Sequence, residues 1–391
     1  DKAVKGEAIE ITSAGGGDSH GLTESTSRAA ADSISGASGG SLSFAGSLAI
    51  NVAEVNTTAA LTSGSIAVLR DGSDGGSDVG TLSIKSMADA FAGVNAGAKQ
   101  EATENTGVGF SFGLNITDHN TRATIETGAV IDSITGTPDS VVLSADGLYG
   151  MRTDVTGGAE STGATGVTPV LGISVALNET SAIVEAGDGV IDDAISIAGD
   201  LSVTATHVAQ TETIVKGDTK GSDAAVGISF GLTVAEDDAS ALLLRDVTSG
   251  GSVSLVAQGA AASRTESEAS ATGASSTASD NEGNTVNENT AAQTSRADSQ
   301  TTSRTRSGAT PTSSGTGQSQ SNASNNGSTL SVAAAISLNI ADLDVISSLD
   351  NGITVNAGGE VDVTARGNLD ASSKADGSAT TIGGGNSTNI G

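Results

Sequence analysis

The chain has 391 residues, 17 basic against 46 acidic side chains for a formal charge of −29, and only five Phe, one Tyr and no Trp. These figures exclude a conventional aromatic core, and the absence of cysteine excludes a disulfide framework. The negative excess argues against nucleic acid and against an anionic membrane surface, both of which repel it, and suits divalent cations better.

From the N-terminus, Asp1-Lys2-Ala3-Val4-Lys5-Gly6-Glu7 forms no apolar leader core, and Ala8-Ile9-Glu10-Ile11-Thr12 alternates like a strand. No stretch approaches the ~20 apolar residues of a membrane span. The sequence reads as an excerpt from a longer chain.

A block then recurs in which a small residue opens an apolar alternation and a mostly apolar cluster follows 12 residues later. Its copies are Ala49-Ile50-Asn51-Val52 to Leu61, Gly113-Leu114-Asn115-Ile116 to Ile125, Gly172-Ile173-Ser174-Val175 to Val184, and Gly231-Leu232-Thr233-Val234 to Leu243. A looser fifth copy, Ala335-Ile336-Ser337-Leu338, leads to Ser347 beside Val345-Ile346. First positions are 64, 59, 59 and 104 residues apart, which predicts modules of about 60 residues and an insertion of roughly 45 in the fourth. A second strand pattern follows in each module, at Leu82-Ser83-Ile84, Val141-Val142-Leu143, Leu201-Ser202-Val203, Val253-Ser254-Leu255 and Val361-Asp362-Val363. Phe44, Phe110, Phe112 and Phe230 lie in or beside the first strands, where alternate positions are expected to share one buried face.

No helical stripe interrupts these strands, and Gly, Asn, Asp and Ser clusters separate them. A module of 60 residues is short for an immunoglobulin-like sandwich and divides into about three coils of about 20 residues. The predicted fold is therefore all-β, a right-handed parallel β-helix (β-solenoid) with Val, Ile, Leu, Ala and Phe facing in and Ser, Thr, Asn and Asp facing out. Its expected organisation is the end of a preceding repeat over 1–40, repeats over 41–106, 107–165, 166–225 and 226–328, and a fifth repeat with the start of another over 329–391. The fourth carries the polar insertion at about 262–325. Between Ala257 and Thr329 the one large aliphatic residue is Val286. Such a segment is either a disordered linker or a polar β-arm that adds to a neighbouring chain.

The near copies Gly109-Phe110-Ser111-Phe112-Gly113-Leu114-Asn115-Ile116 and Gly227-Ile228-Ser229-Phe230-Gly231-Leu232-Thr233-Val234, with Val332-Ala333-Ala334-Ala335-Ile336-Ser337-Leu338-Asn339, resemble repeats of long bacterial surface proteins of the filamentous-adhesin and leukotoxin-like type. The resemblance covers most of the chain outside the insertion. It implies a secreted, cell-surface β-solenoid used as a stalk, fibre or adhesive surface. It transfers no site residues, because the shared positions are core and turn positions.

Residues able to carry chemistry are sparse. Asp71, Asp74 and Asp78 in a Gly-rich run could surround calcium, but their spacing is not that of an EF-hand or a Gly-Gly-x-Gly-x-Asp repeat, and an ordinary solvated turn is the favoured explanation. Glu236-Asp237-Asp238, Asp192-Asp193 and Asp342 with Asp344 are weaker candidates. His20, His119 and His207 are scattered among different modules; Asp118 beside His119 does not make a triad and is expected in a surface turn. Tyr149 alone is a poor sugar platform, Lys216-Gly217-Asp218 reads as a charged turn, and chance explains Asn-x-Ser/Thr matches such as Asn56, Asn115 and Asn178. The expectation is a non-enzymatic extracellular fibre or stalk that binds copies of itself in a polymer through the 262–325 arm. The alternative is an adhesin or toxin passenger that binds a cell-surface receptor or glycan, with no nucleic acid partner and no membrane span in either case.

Overall fold

A computed structural model describes residues 19–69, 80–102, 106–133, 139–161, 165–189, 194–273, 329–381 and 387–391. One sheet is built from β1 (Ser19–Gly39), β4 (Leu82–Ala102), β7 (Val141–Ser161), β10 (Leu201–Gly221), β13 (Val253–Gly273) and β16 (Val361–Thr381), in that spatial order. The second contains β2 (Leu42–Leu61), β5 (Thr106–Ile125), β8 (Thr165–Val184), β11 (Ala224–Leu243), β14 (Thr329–Leu349) and β17 (Ser387–Ile390). Short strands close the third side: β3 (Ile66–Leu69) with β6 (Val130–Ser133), and β9 (Ile195–Ile197), β12 (Val247–Ser249) and β15 (Val355–Ala357). Every pairing is parallel, and every neighbour in a long sheet is the corresponding strand of the next module. The fold is a parallel β-solenoid, as the repeats predict.

Its coils are wider than predicted. The register steps from Leu82 to Val141 and on to Leu201, and from Thr106 to Thr165 and on to Ala224, so a module of about 60 residues is one coil rather than three. Each coil runs through a strand of 20 or 21 residues, turns, and returns through a second of equal length. At ~3.3 Å per residue and ~4.8 Å between strands, the result is a plate about 70 Å wide and about 30 Å high, two sheets thick. The fifth copy also shifts by two residues, since Gly231 lies opposite Ser337 rather than Ala335, and Leu243 opposite Leu349 rather than Ser347. Residues 262–273, expected to open the polar insertion, form the second half of β13; the remainder, 274–328, lies outside the described residues.

Two kinds of interior follow from this cross-section. Where the short strands meet the long ones, three sheets enclose a wide corner, and large aliphatic side chains fill it in columns. Leu82, Val141, Leu201 and Val253 form one column, and Leu61, Ile125, Val184 and Leu243 face them, all between 0 and 2% exposed. Each such side chain contributes about 1.5–3 kcal/mol of burial. Gly64, Gly128 and Gly352 turn the chain here with φ of 76°, 75° and 84°, a region that side chains with a Cβ rarely enter. In the fourth coil Arg245 occupies the corner instead. Buried to 3% exposure, it donates from Nε to the Glu185 carbonyl at 2.6 Å, from Nη1 to that of Ala129 at 3.0 Å, and from Nη2 to that of Glu126 at 2.8 Å.

Away from the corner only two sheets oppose one another, and the space admits only small groups. Inward positions there are mostly Ala, Gly, Ser, Thr and Asn, with Val94, Val155, Val170 and Val215 between them and one cluster of larger polar rings, while most Phe, Leu and Ile of the second sheet point out, the reverse of the predicted orientation. Thr153, Ser174, Thr213, Thr233 and Thr265 join their hydroxyls across the two sheets at 2.7–2.8 Å, and Asn51 donates to buried Asn115 at 2.8 Å. Phe44 is 62% exposed and Leu48 59%; with Phe110, Phe112 and Phe230 they lie on the outer face, not in a core.

The closeness of the sheets makes a test. A Cβ on Gly113 would stand 2.5 Å from Val155 Cγ2 and 3.2 Å from Val94 Cγ1. Gly113→Ala is expected to cost about 1–3 kcal/mol by overpacking, while Ile50→Thr, at an outward position 50% exposed, stays within about 0.5 kcal/mol of the parent; urea unfolding midpoints compare the two.

Candidate functional site

The second sheet's outer surface is the most distinctive feature of the molecule. Because successive residues of a strand face opposite sides and the ladders hold exact neighbours together, outward positions form straight columns across the coils. One column is Leu48, Phe112, Leu171, Phe230 and Ile336; the next is Ile50, Leu114, Ile173, Leu232 and Leu338. Val52, Ile116, Val175, Val234 and Ile340 follow, and on the other side lie Phe44, Val108, Val167, Val226 and Val332. Val52 is 69% exposed, Ile340 59% and Ile336 51%. Gly46, Phe110, Pro169, Ile228 and Ala334 fill the column between those of Phe44 and Leu48; monomeric soluble proteins seldom present a contiguous apolar patch above ~300–600 Å2, and five strands by these five columns exceeds that.

Immediately beyond, the same face turns acidic. Glu54, Asp118, Glu236 and Asp342 share one column, interrupted by Leu177, and Glu179, Asp238 and Asp344 belong to the next. Partial burial pushes the Asp238 carboxyl above the usual aspartate range, and the negative charges of Asp344 and Glu179 push it the same way. Strand alternation splits Glu236-Asp237-Asp238, sending Asp237 inward and the other two out.

The first sheet's outer face carries an ionic network beside scattered exposed apolar residues such as Met87, Phe91, Leu148 and Val208. Arg152 pairs with Asp154 at 2.6 Å and with Glu212 at 3.0 Å; Arg264 bridges Glu212 and Glu266; Lys374 reaches Glu266 at 2.9 Å and Glu268 at 3.7 Å, and Lys216 reaches Glu268 at 3.1 Å. The pairs thus form one network across β7, β10, β13 and β16. Burial raises the Glu266 carboxyl, but the hydrogen bond and charge of Lys374 and the charge of Arg264 outweigh it and leave it below the usual glutamate range. Lys216-Gly217-Asp218 belongs to this face as part of β10, not to a turn. It borders a shallow depression of about 300 Å3 whose lining includes Lys216, Asp218, Glu268 and Asp376.

A buried polar cluster lies between the faces. His119 and His207 are 3% and 1% exposed and lie in strands, so the surface turn expected at Asp118 and His119 is not found. His119 Nδ1 is 3.1 Å from Asn178 Oδ1, Asn178 Nδ2 donates to Asp237 Oδ1 at 2.8 Å, and His207 Nε2 stands 3.1 Å from the same carboxylate oxygen. His207 Nδ1 meets the Thr180 hydroxyl at 3.0 Å. Tyr149 lies between the rings, with centroids 5.3 Å from His119 and 5.2 Å from His207, and donates to Thr121 Oγ1 at 2.6 Å. Donors thus converge on Asp237 from both sides, and burial holds Tyr149 above the usual phenol range. Gly147 provides the space, because a Cβ there would come within 2.4 Å of the Tyr149 hydroxyl. Val55 and Leu343 occupy the corresponding positions of the flanking coils and seal the column. Sequence reasoning separated these residues, although steps of 59 from His119 to Asn178 and from Asn178 to Asp237 place them side by side.

Asp71, Asp74, Asp78, Asp192 and Asp193 lie outside the described residues, and of His20 only the backbone belongs to a described strand. Asp342 and Asp344 face outward in the acidic columns. Asn115 and Asn178 are buried and inaccessible to glycosylation. Among the described residues no group of three or more His, Asp or Glu is arranged to hold a metal ion, and no helix is long and apolar enough to cross a membrane.

The cluster confers acid sensitivity. Burial lowers the His119 pKa from its ordinary 6.5, against smaller raising contributions from Asn178 and Asp118. The unfolded chain therefore binds the proton first: stability from this residue is complete above about 6.5 and is lost as pH falls through the folded value, by at most about 1.4 kcal/mol per pH unit. Melting temperatures from pH 7.5 to 5 are expected to fall, and to fall less steeply for His119→Gln. No protein-family model, curated protein or solved structure matches this chain.

Proposed function

We propose that the chain is a non-enzymatic structural protein of the cell exterior that acts by self-association, presenting broad flat faces rather than a catalytic cleft. The observation that carries this reading is the set of continuous apolar columns on the outer face of the second sheet, against a first sheet whose outer face carries an ionic network among scattered apolar residues. The geometry argues against a spacer whose purpose is reach. A coil of about 60 residues advances the solenoid by only ~4.8 Å, whereas the same residues in 20-residue coils would advance it about three times as far. Wide coils produce area. Surface formation, and adhesion through that surface, is the use such a shape supports.

The charge of −29 opposes association, and that repulsion is screened over ~10 Å at 0.1 M salt. Multi-angle light scattering with electron microscopy from low to molar salt is therefore expected to show flat particles about 70 Å wide that associate as salt rises. A monomer at every salt and protein concentration would falsify the reading. The second reading, an adhesin or toxin passenger for a receptor or glycan, is supported by the polar depression beside Lys216 and Asp218. Saturable glycan binding there, lost in Lys216→Ala, would favour it.

A further inference from the structure

We propose that the apolar outer face of the second sheet is the docking surface for a second copy of this chain, seated face to face about a two-fold axis parallel to the solenoid axis. The inference rests on the self-association reading and names its surface and symmetry.

The area is sufficient. Five strands at ~4.8 Å and outward columns spanning 44 to 52, with their side-chain margins, give about 24 by 30 Å, or roughly 700 Å2 per copy. A pair would cover about 1,400 Å2, within the ~1,200–2,000 Å2 of stable specific interfaces. Shape selects a like partner: a flat sheet with columns at fixed spacing meets its best complement in another flat sheet, stacked ~10 Å away. The chain's own segment 274–328 is a poor cover, because Val286 is its one large aliphatic residue and it has no aromatic.

Charge selects the axis. A two-fold axis along the strands would bring the column of Glu54, Asp118, Glu236 and Asp342 against its own copy. An axis along the solenoid, passing through the column of Leu171, makes the facing strands antiparallel. It carries each acidic column six residues beyond centre, opposite the partner's Leu42, Thr106, Thr165 and Ala224 column, which bears no charge. The two acidic columns then stand about 40 Å apart, well past a ~10 Å screening length. Residues on the central column face themselves across the axis, and both solenoids ascend in the same direction.

The chain has no native cysteine, so single-cysteine variants report the geometry directly. With a short bismaleimide under associating salt, Leu171→Cys is expected to yield covalent dimer at least about tenfold above Asp118→Cys, at the acidic column, and Gln210→Cys, on the opposite face. Phe112→Glu with Leu171→Glu is expected to weaken association more than about a hundredfold while leaving the far-ultraviolet circular dichroism unchanged, since both positions face outward. Equal cross-linking at Asp118→Cys overturns the axis. Cross-linking centred on Gln210→Cys, or association untouched by the two glutamates, overturns the surface while leaving self-association intact. Flotation of the parent chain with phosphatidylcholine vesicles in place of dimer formation assigns the face to lipid and also overturns the proposal. Absence of association at any salt sinks the broader functional reading.

Discussion

The spacing between the two long sheets governs the molecule. Face-to-face sheets ordinarily stand ~10 Å apart with side chains interdigitating between them. Here the gap is so narrow that a methyl group on Gly172 would come within 2.6 Å of Val215 Cγ2, and one on Gly157 within 2.5 Å of Val170 Cγ2. A gap of that depth cannot hold Phe or Leu on both walls. Composition follows from the constraint: Gly, Ala, Ser and Thr are abundant because they fit, Val enters the gap where the facing wall is Gly, and most Leu, Ile and Phe sit in the three-sheet corner or on the exterior. Many hydroxyls and amides, Asn51, Asn115, Thr213 and Thr233 among them, enter with a partner in the facing sheet or the next coil, which offsets the cost of burying them, whereas the Gln100 amide is buried without one.

That constraint also explains which features could be read from the chain. Strand content, the module length and the alignment of Gly113, Gly172 and Gly231 were legible, because parallel in-register ladders transmit periodicity directly into sequence. Period-two alternation distinguishes two faces of a strand without saying which faces inward. In Gly109-Phe110-Ser111-Phe112-Gly113 the ordinary preference for buried aromatics points to Phe, whereas the narrow gap selects Gly and Ser. Coil length was ambiguous for a related reason: no turn signal distinguishes three short coils from one long one when Gly and Ser occur inside strands as well as between them. The same residues concealed the second half of β13, whose small side chains read as linker and fit the interior of the plate.

The His119, Tyr149, His207 and Asp237 cluster is the converse case. Its members are far apart in sequence and chemically unlike, so no local pattern unites them. Register does: the inward column Val55, His119, Asn178, Asp237 and Leu343 crosses the second sheet with apolar residues at both ends and polar ones between. His207 reaches this column from the facing sheet. A buried, fully connected polar group of this kind contributes less to net stability than to fixing which coil sits above which. In a repetitive solenoid that matters, because a slip by one module would leave Asp237 opposite an aliphatic neighbour, without its donors.

The outer faces solve two different problems with the same ladder geometry. On the first sheet, register places Arg152, Glu212 and Arg264 in adjacent strands, so like charges are separated by an opposite one along the column. Exposed pairs of this kind are worth only about 0–1 kcal/mol each; their larger effect is to keep that face hydrated and unsuited to stacking. On the second sheet, register aligns large apolar residues into continuous columns, so that any partner able to match one coil matches all of them. Under the proposed pairing, repetition would turn a weak contact per coil into a cumulative one, while the acidic columns at its margin would restrict which orientation could use it. If the proposed pairing holds, attraction accumulates along the solenoid and repulsion is concentrated at one border, and that asymmetry would give a chemically simple repeat a defined direction of association.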